Sequence, residues 1–454
     1  MSLTDLKTTT NLDRNRIACD NLQSVEHTPC LARNRIASQN LHSVEHTPCL
    51  DRNRIVSTDL QSVEHMPDCI SLARNLPIKR PRVAIVTAEI TQDSIFQNGL
   101  YQNIYHLYKL VEVIGLEPLL VINEKTNKFP EFMSSFHHMT VEEVVNHPIP
   151  IDFYLEVGLS TSPHIRKFMQ SCGARIARLY LGNIFNIDVE TPLFFKNMNF
   201  SHHVGGNMDT LLCSPHYAHY AQYMCALEHM ELTAAQPTPY IWDPCFLTKW
   251  GSSVLSWVPP ASNAVPTFII MEPNISYQKN ALLPLLILEK WAIENAIESA
   301  NIIVINGTRL KESPYYCQLI KQLEISRRGF IQHLGRKSVR NVMTKWPSAT
   351  VLLHHKDNEL NYMTLEFLYA GFPVIHNAAS WRDAGYYYTG DSICQGVTGI
   401  QDAAGHADRL TVYRSQAQQI FWKHSIHNPT VQQGWYTIFD KSRNSPKLET
   451  SQKN

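Results

Sequence analysis

The sequence lacks several features that would assign it to a class of proteins directly. Its 40 basic and 40 acidic residues give no net charge, so it carries no broad field for binding nucleic acid. Its ten cysteines include no C-x-x-C pair, which argues against a zinc site and a small disulfide-linked domain. The N-terminus is polar, and no apolar run approaches the roughly 20 residues that cross a bilayer. These absences predict a cytoplasmic protein without nucleic-acid partners or a transmembrane segment.

The composition that remains is that of a globular protein. Hydrophobic residues make up 44% of the chain and charged residues 18%, and a length of 454 residues predicts two domains with additional terminal segments. We expect a tail at 1–80, an N-terminal domain at 81–240, a C-terminal domain at 241–410, a helical segment at 411–440 and a disordered tail at 441–454.

The N-terminal tail contains a repeat of 19 residues that occurs three times, beginning at Arg14, Arg33 and Arg52. Each copy has few large apolar residues and a proline, so it buries too little surface to offset the entropy of ordering. We therefore predict that residues 1–80 are disordered. The alternative is a metal site formed by the repeated Glu-His pairs, but the potential ligands are far apart in sequence.

The most informative stretch is VLLHHKDNELNYMTLEFLYAGFPVIHN, residues 351–377, which reads as strand, loop, helix, turn and strand. Asn361 is placed to cap the helix, Gly371 to end it and Val374 to begin the second strand. Such a unit belongs to a parallel sheet, in which ligands lie beyond the carboxyl ends of the strands and at helix N-termini. The carboxylate of Glu366 would suit a polyhydroxyl ligand there.

Strands and helices alternate in both halves, which predicts an α/β fold. A strand, helix and strand fill 83–122, with Gly99 at the N-terminus of the helix, and PTPYIWDPCF at 237–246 is a stiff linker. A helix is expected at 281–300, with an early interruption at Pro284. Further strands are expected at 152–157, 174–181, 210–213, 267–271, 302–305 and 330–334.

Three segments together resemble the donor domain of nucleotide-sugar glycosyltransferases with the GT-B fold: EPNISYQKN from Glu272, HLGRKSVRNVMTKWPSATVLLHH from His333, and EFLYAGFPVI from Glu366. The resemblance covers about 267–377, and the N-terminal half follows it only in the order of elements. It implies two Rossmann-like doubly wound domains that face a cleft, with a nucleoside-diphosphate sugar as co-substrate. The PYIWDP linker and the GYYY run at 385–388 also resemble an uncharacterised bacterial and viral group; we expect GYYY to pack near the cleft.

The resemblance implies which residues bind the diphosphate of the donor. Lys279 follows the first strand of the donor domain, where the family has a basic residue, and Arg336 follows its Leu-Gly turn. Gly99 opens a helix whose N-terminal N–H groups suit an anion. Lys279 and Arg336 are the candidate diphosphate ligands, helped by the helix N-termini after Asn280 and Asn361, and Gly99 is a further candidate for binding the donor.

The sugar and the ribose are expected to meet the segment before the helix of Glu366. In the family, the glutamate that matches Glu366 accepts hydrogen bonds from the ribose, and a second glutamate often lies eight residues earlier. This chain has Asn358 at that place and Glu359 one residue later. Either Glu359 takes the role through a shifted loop, or Asn358 contacts the sugar by hydrogen bonds.

The N-terminal domain is expected to bind the acceptor and to supply a general base. His202, His203, His216 and Glu156 are titratable groups near turns, and the sequence does not rank one of them far above the others. No Asp-x-Asp triplet occurs, which argues against the metal-dependent single-domain glycosyltransferases. We therefore expect no metal and no cofactor, with the leaving group stabilised by cationic side chains and backbone amides.

The predicted function is transfer of a hexose from a nucleoside-diphosphate sugar to an unknown acceptor, which could be a glycan or a protein. One alternative is an enzyme of the same fold that epimerises or hydrolyses a sugar nucleotide. A second alternative is a binding or structural protein that kept the fold without the chemistry, which would agree with Asn358 in place of a glutamate.

Overall fold

The computed structural model describes residues 80–96, 98–124, 129–194, 205–248 and 255–444. The repeats before residue 80, the end of the chain after residue 444, and His202 with His203 lie outside these residues. The described chain contains two parallel β-sheets, each covered by helices.

The first sheet has seven strands in the order β3-β2-β1-β4-β5-β6-β7, and all neighbours are parallel. Apart from the edge strands β3 and β7, the strands are almost wholly buried, as expected for a sheet covered on both faces. They are β1 Arg82–Thr87, β2 Glu117–Ile122, β3 His138–Thr140, β4 Phe153–Glu156, β5 Arg175–Tyr180, β6 Thr210–Cys213 and β7 Ala235–Pro237.

The helices of the first half connect these strands. The first long one begins after the Asn98 cap and ends before Gly115, whose φ of 81° allows the chain to turn into β2. The helices are α1 Gln92–Ile95, α2 Gly99–Val113, α3 Val141–Asn146, α4 Pro163–Ser171, α5 Ile184–Phe194, α6 Ala221–Leu227 and α7 Cys245–Thr248.

The second sheet has six parallel strands in the order β10-β9-β8-β11-β12-β13. Its strands are β8 Thr267–Ile270, β9 Asn301–Val304, β10 Ile331–His333, β11 Thr350–Leu352, β12 Val374–His376 and β13 Tyr386–Tyr387. In both sheets the strand order reverses at the first strand, which creates a crevice at the carboxyl ends. The GYYY run contains the outer-edge strand β13; Tyr386 packs against the cores of the second half, and Tyr388, which is buried, contacts His354.

The helices of the second half include one that corrects the sequence prediction. They are α8 Leu282–Glu294, α9 Pro314–Ile320, α10 Glu324–Arg327, α11 Val339–Lys345, α12 Tyr362–Tyr369, α13 Ile393–Ala403, α14 His406–His424 and α15 Pro429–Asn444. Pro284 does not interrupt α8, because it lies in the first turn, where a missing N–H breaks no intrahelical bond. The helix ends at Asn295, before Ala296 adopts a positive φ of 46°.

The linker between the sheets contributes side chains to both cores. Ile241 and Phe246 pack into the core around β1, whereas Tyr240 and Trp242 pack into the core around β11. The Tyr362 hydroxyl also donates to the Ile241 carbonyl at 2.6 Å. The linker is therefore a shared structural element of the two halves.

The last two helices pack on different cores. Tyr413 and Phe421 of α14 belong to the core of the second sheet, whereas Val431 and Trp435 of α15 belong to that of the first. The chain thus crosses back to the first half at its end. Among the described helices, none combines the length and the apolar character that crossing a bilayer would require.

Candidate functional site

Two helix N-termini, one from each half, meet beside the carboxyl ends of the sheets. A Cβ on Gly99 of α2 would lie 3.8 Å from the ring of Tyr362, the first residue of α12. Both helices are capped by asparagine: Asn98 Oδ1 accepts from the Leu100 N–H at 3.0 Å and Asn361 Oδ1 from the Met363 N–H at 3.3 Å. The positive ends of two helix dipoles therefore lie together.

The loop after β8 is folded tightly around Asn274. Its Oδ1 accepts from the N–H of Ala281, the residue before α8, at 2.8 Å, and its Nδ2 donates to the Glu272 carbonyl at 2.9 Å. The Lys279 N–H donates back to the Ser276 carbonyl at 3.4 Å. This turn holds Lys279 directly before the N-terminus of α8.

Helix α5 of the first half holds the same loop from the other side. Asn186 Nδ2 donates to Ser276 Oγ at 3.2 Å, and Glu190 Oε1 accepts from the Tyr277 N–H at 3.0 Å. The loop that carries Lys279 is therefore positioned by both halves of the molecule.

His216 brings a titratable ring from the first half to this place. It follows β6 in the 3-10 turn Pro215–Tyr220, and both of its ring nitrogens are buried, within electrostatic range of Lys279 and near the Asn358 side chain of the second half. Burial and the Lys279 charge lower the pKa of His216 to about 3, while the Asn358 side chain opposes this shift. The ring is therefore neutral at physiological pH.

Glu272, which the sequence analysis used only as the start of a motif, is a buried carboxyl beside Lys279. It is 0% exposed, and its Oε1 accepts from the His354 N–H at 3.1 Å. Its Oε2 has no hydrogen-bond partner within the described part of the chain. Burial raises the pKa of Glu272, and the Lys279 ammonium opposes this shift. The sequence signal that could have identified Glu272 is an acidic residue just after β8, the first strand of the second half.

Glu366 lies on α12 as predicted, but its surroundings were not foreseen. It is 7% exposed, and burial raises its pKa to about 8, although a hydrogen bond with Gln102 of α2 lowers it. Glu366 therefore sits where the two halves touch, one turn inside the paired helix N-termini. Its ribose contact remains a prediction.

The two candidates for the displaced glutamate have different environments. Glu359 Oε2 accepts from the Ser380 N–H at 3.2 Å, so its carboxylate is engaged with the 3-10 turn Ala379–Trp381. Asn358 instead lies beside His216. The structure therefore brings Asn358 together with Lys279 and His216, while Glu359 faces another turn.

Arg336 lies farther along the sheet. It follows β10, two strands from β8, which corresponds to about 10 Å across the sheet. Its loop is fixed by the hydrogen bond from the Gly307 N–H to the Leu334 carbonyl at 2.8 Å. Arg336 is half-buried at the same edge of the sheet as Lys279.

Histidines after β11 complete the floor of the cleft. His354 Nδ1 is 3.0 Å from the Tyr388 hydroxyl, and His355 Nε2 is 3.4 Å from Thr364 Oγ1. Burial lowers the pKa of His354 to about 4 and that of His355 well below its ordinary value. Across the described ranges, no three His, Cys, Asp or Glu side chains are grouped so that they could hold a metal ion.

Comparisons with known proteins agree with this architecture. A family described as protein of unknown function (DUF2827) matches residues 83–439, and no curated protein sequence matches the chain. A glycosyltransferase from Rickettsia africae ESF-5 has a TM-score of 0.51 at 10% identity, covering 81% of this chain and 100% of that chain. An E. coli structure described as trehalose-6-phosphate bound with UDP-2-fluoro glucose has a TM-score of 0.50 at 12% identity, covering 80% and 99%. The resemblance to the GT-B fold is thereby confirmed.

Proposed function

Because this chain belongs to the family of proteins of unknown function (DUF2827), we propose its function from the geometry of the cleft: transfer of a hexose from a nucleoside-diphosphate sugar to an acceptor hydroxyl. The observation that carries this proposal is the position of His216, from the first half, beside Lys279 and Asn358 of the second. This position would bring a proton acceptor from one half and a cation for phosphate from the other to the same donor.

The diphosphate would bind to Lys279 and to helix N-termini. Lys279 lies immediately before α8, and the N-termini of α2 and α12 adjoin each other. Backbone N–H groups and an ammonium are the usual ligands of a diphosphate. As the glycosidic bond breaks, negative charge grows on the leaving phosphate, and these groups would stabilise it without a metal. Arg336 would contact the donor farther along the strand ends.

The sugar would lie between Asn358 and His216. Asn358 offers both a donor and an acceptor to sugar hydroxyls. The neutral ring of His216 can accept a hydrogen bond from the acceptor hydroxyl, and it would take the proton once a bound diphosphate offsets the Lys279 charge that helps to lower its pKa. The Lys279 ammonium would favour the ionised form of the nearby Glu272, which burial otherwise keeps protonated.

The choice of nucleotide rests on one comparison. The E. coli structure of the same fold is bound with UDP-2-fluoro glucose, which supports a UDP-hexose as the first donor to test. Glu366 would accept hydrogen bonds from the ribose if Gln102 releases it when the donor binds.

Thermal unfolding with UDP, GDP, ADP, dTDP and CMP sugars tests donor binding. A ligand that binds only the folded state raises the melting temperature by mass action. We expect one UDP-hexose to raise it by several degrees at millimolar concentration, and Lys279→Ala to remove this shift. Lys423→Ala, an exposed lysine on α14, is the matched control and should keep it. If no sugar nucleotide stabilises the wild-type chain, the donor site is rejected.

Turnover separates transfer from the alternative functions. A transferase consumes donor only when an acceptor is added, whereas a hydrolase or epimerase consumes donor alone. Binding without turnover for every acceptor tested would favour the non-catalytic protein, which Asn358 in place of a glutamate supports. In an active enzyme, His216→Gln should keep the thermal shift and lower kcat by roughly 100-fold or more, the range of general base catalysis.

A further inference from the structure

A second cavity lies at the outer edge of the second sheet. Its volume is about 620 Å³, and none of the residues assigned to the cleft lines it. The edge strand β13 forms the floor. The walls are one face of α13, from Gln395 to Asp402, and one face of α14, from Arg409 to Gln416. We refer to this cavity as the groove.

Two guanidinium groups line this groove. Arg382 Nε donates to the Ala379 carbonyl at 3.2 Å, and its guanidinium lies 5.9 Å from the centre of the Tyr387 ring. This leaves its two terminal nitrogens without an ion pair or hydrogen bond to another described residue, and the same holds for the guanidinium of Arg409. The two terminal nitrogens of such a guanidinium group can donate together to the paired oxygens of a carboxylate or phosphate.

The remaining lining suits hydroxyl groups. Gln395 Oε1 accepts from the Thr389 N–H at 2.7 Å, which turns its NH₂ group outward. Gln416 and the Asp402 carboxylate line the opposite side. Tyr387 adds a half-buried ring, and aromatic rings stack on the apolar faces of sugars. The combination of aromatic, amide, carboxylate and guanidinium groups is that of a carbohydrate site with a preference for negative charge.

A peptide fits this groove less well. An added β-strand would need a long free edge, but β13 has two residues. A docked helix would need a continuous apolar stripe, but Gln395, Asp402 and Gln416 interrupt the walls, where Val412 is the exposed aliphatic side chain.

We propose that the groove between β13, α13 and α14 binds an anionic saccharide, one whose sugar residues carry carboxylate or phosphate groups. Arg382 and Arg409 bind the acidic groups, Tyr387 stacks on a sugar ring, and Gln395, Gln416 and Asp402 bind hydroxyls. The site is separate from the cleft, so the proposal holds whether or not the cleft transfers a sugar.

Calorimetric titration of the full chain tests this site with four probes. They are a uronic-acid tetrasaccharide, a neutral glucose tetrasaccharide, mannose 6-phosphate and inorganic phosphate. We expect the uronic-acid probe or the sugar phosphate to bind, and their comparison shows which acidic group is preferred. Arg409→Ala and Arg382→Ala should each weaken that binding about tenfold, and Arg409→Lys by less, because it keeps the charge.

Two control variants show whether the probes bind in the groove. Arg327→Ala removes an exposed arginine of α10 and should leave the affinity unchanged. Lys279→Ala should also leave it unchanged, which distinguishes this site from the cleft. Equal affinity for the neutral tetrasaccharide, equal affinity for inorganic phosphate, or unchanged binding by both groove variants would each overturn the proposal. So would failure of both acidic saccharides to bind.

Discussion

Glu366 shows how one residue can serve both the fold and the candidate site. Its carboxyl group is buried between α12 and α2, with Gln102 as its hydrogen-bonding neighbour, and its pKa rises to about 8. A buried carboxyl without a cation is favoured in its neutral form. The contact between the halves therefore depends on protonation.

This environment predicts a pH dependence of stability. The Glu366 carboxyl has an ordinary pKa of 4.5 and a folded-state pKa of about 8, so between these values the folded state holds a proton that the unfolded chain has released. Its contribution is fully present below about pH 4.5 and is lost as the pH rises through 8, at up to about 1.4 kcal/mol per pH unit. We expect Glu366→Gln, which is always neutral, to be more stable than wild type at pH 8.

Urea unfolding between pH 5 and pH 8.5 measures this effect. The variant should show a flatter dependence of the free energy of unfolding on pH. Glu298→Gln, on the exposed connection before β9, is the matched control and should follow wild type. Parallel profiles for Glu366→Gln and wild type would show that Glu366 does not titrate in this range.

At the scale of elements, Gly158 allows helix α2 to pack closely against the end of strand β4. It follows β4 with a φ of 81°, and a Cβ there would lie 2.7 Å from Cδ2 of Leu100, at the start of α2. Both the left-handed backbone and the contact exclude a side chain. The position of the α2 N-terminus in the cleft depends on this glycine.

Gly158→Ala should therefore destabilise the protein by roughly 1–3 kcal/mol, because the strain and the clash add. Gly335→Ala is the matched control, since a Cβ at Gly335 would meet no atom within 4 Å and its φ is not positive. Denaturant midpoints with unchanged slopes compare the two variants. Equal denaturant midpoints for the two variants would mean that α2 moves to accommodate the added methyl group without loss of stability.

At the scale of the whole molecule, the chain joins its two halves twice. The linker places Ile241 in one core and Trp242 in the other, and α15 returns to the first core with Trp435. The Trp435 indole N–H donates to the Pro239 carbonyl at 3.1 Å, so the return helix also holds the linker. Both crossings fix how the halves face each other.

Removing the Trp435 side chain should destabilise the first half of the molecule in particular. Trp435 is 1% exposed, and Trp435→Ala should cost about 3–5 kcal/mol through lost burial and a cavity. Trp422→Ala, at a tryptophan of α14 that is 53% exposed, is the control and should cost much less. Differential scanning calorimetry measures both. A small effect at Trp435 would show that α15 does not contribute to the core as its burial indicates.

Much of the architecture could be predicted from local patterns. The strand Thr210–Cys213 has the predicted bounds, and the helix after Asn361 begins and ends beside its polar cap and Gly371, because capping and turn residues act over a few positions. Pro284 was misjudged because its effect depends on its place within the helix. The edge strands β3, β7 and β13 were missed because none of them contains a run of aliphatic residues, unlike the equally short strands β11 and β12.

The sequence by itself determined the alternation of strands and helices, the stiff linker and the segments that resemble the GT-B fold, since each rests on residues close together in the chain. Only the tertiary structure decided that His216 lies beside Lys279 and Asn358, that Glu366 meets Gln102, and that Glu359 turns to Ser380. These pairings join residues up to 264 positions apart, from 102 to 366. They follow from how two sheets and the helices on them pack, a long-range property that no local pattern encodes.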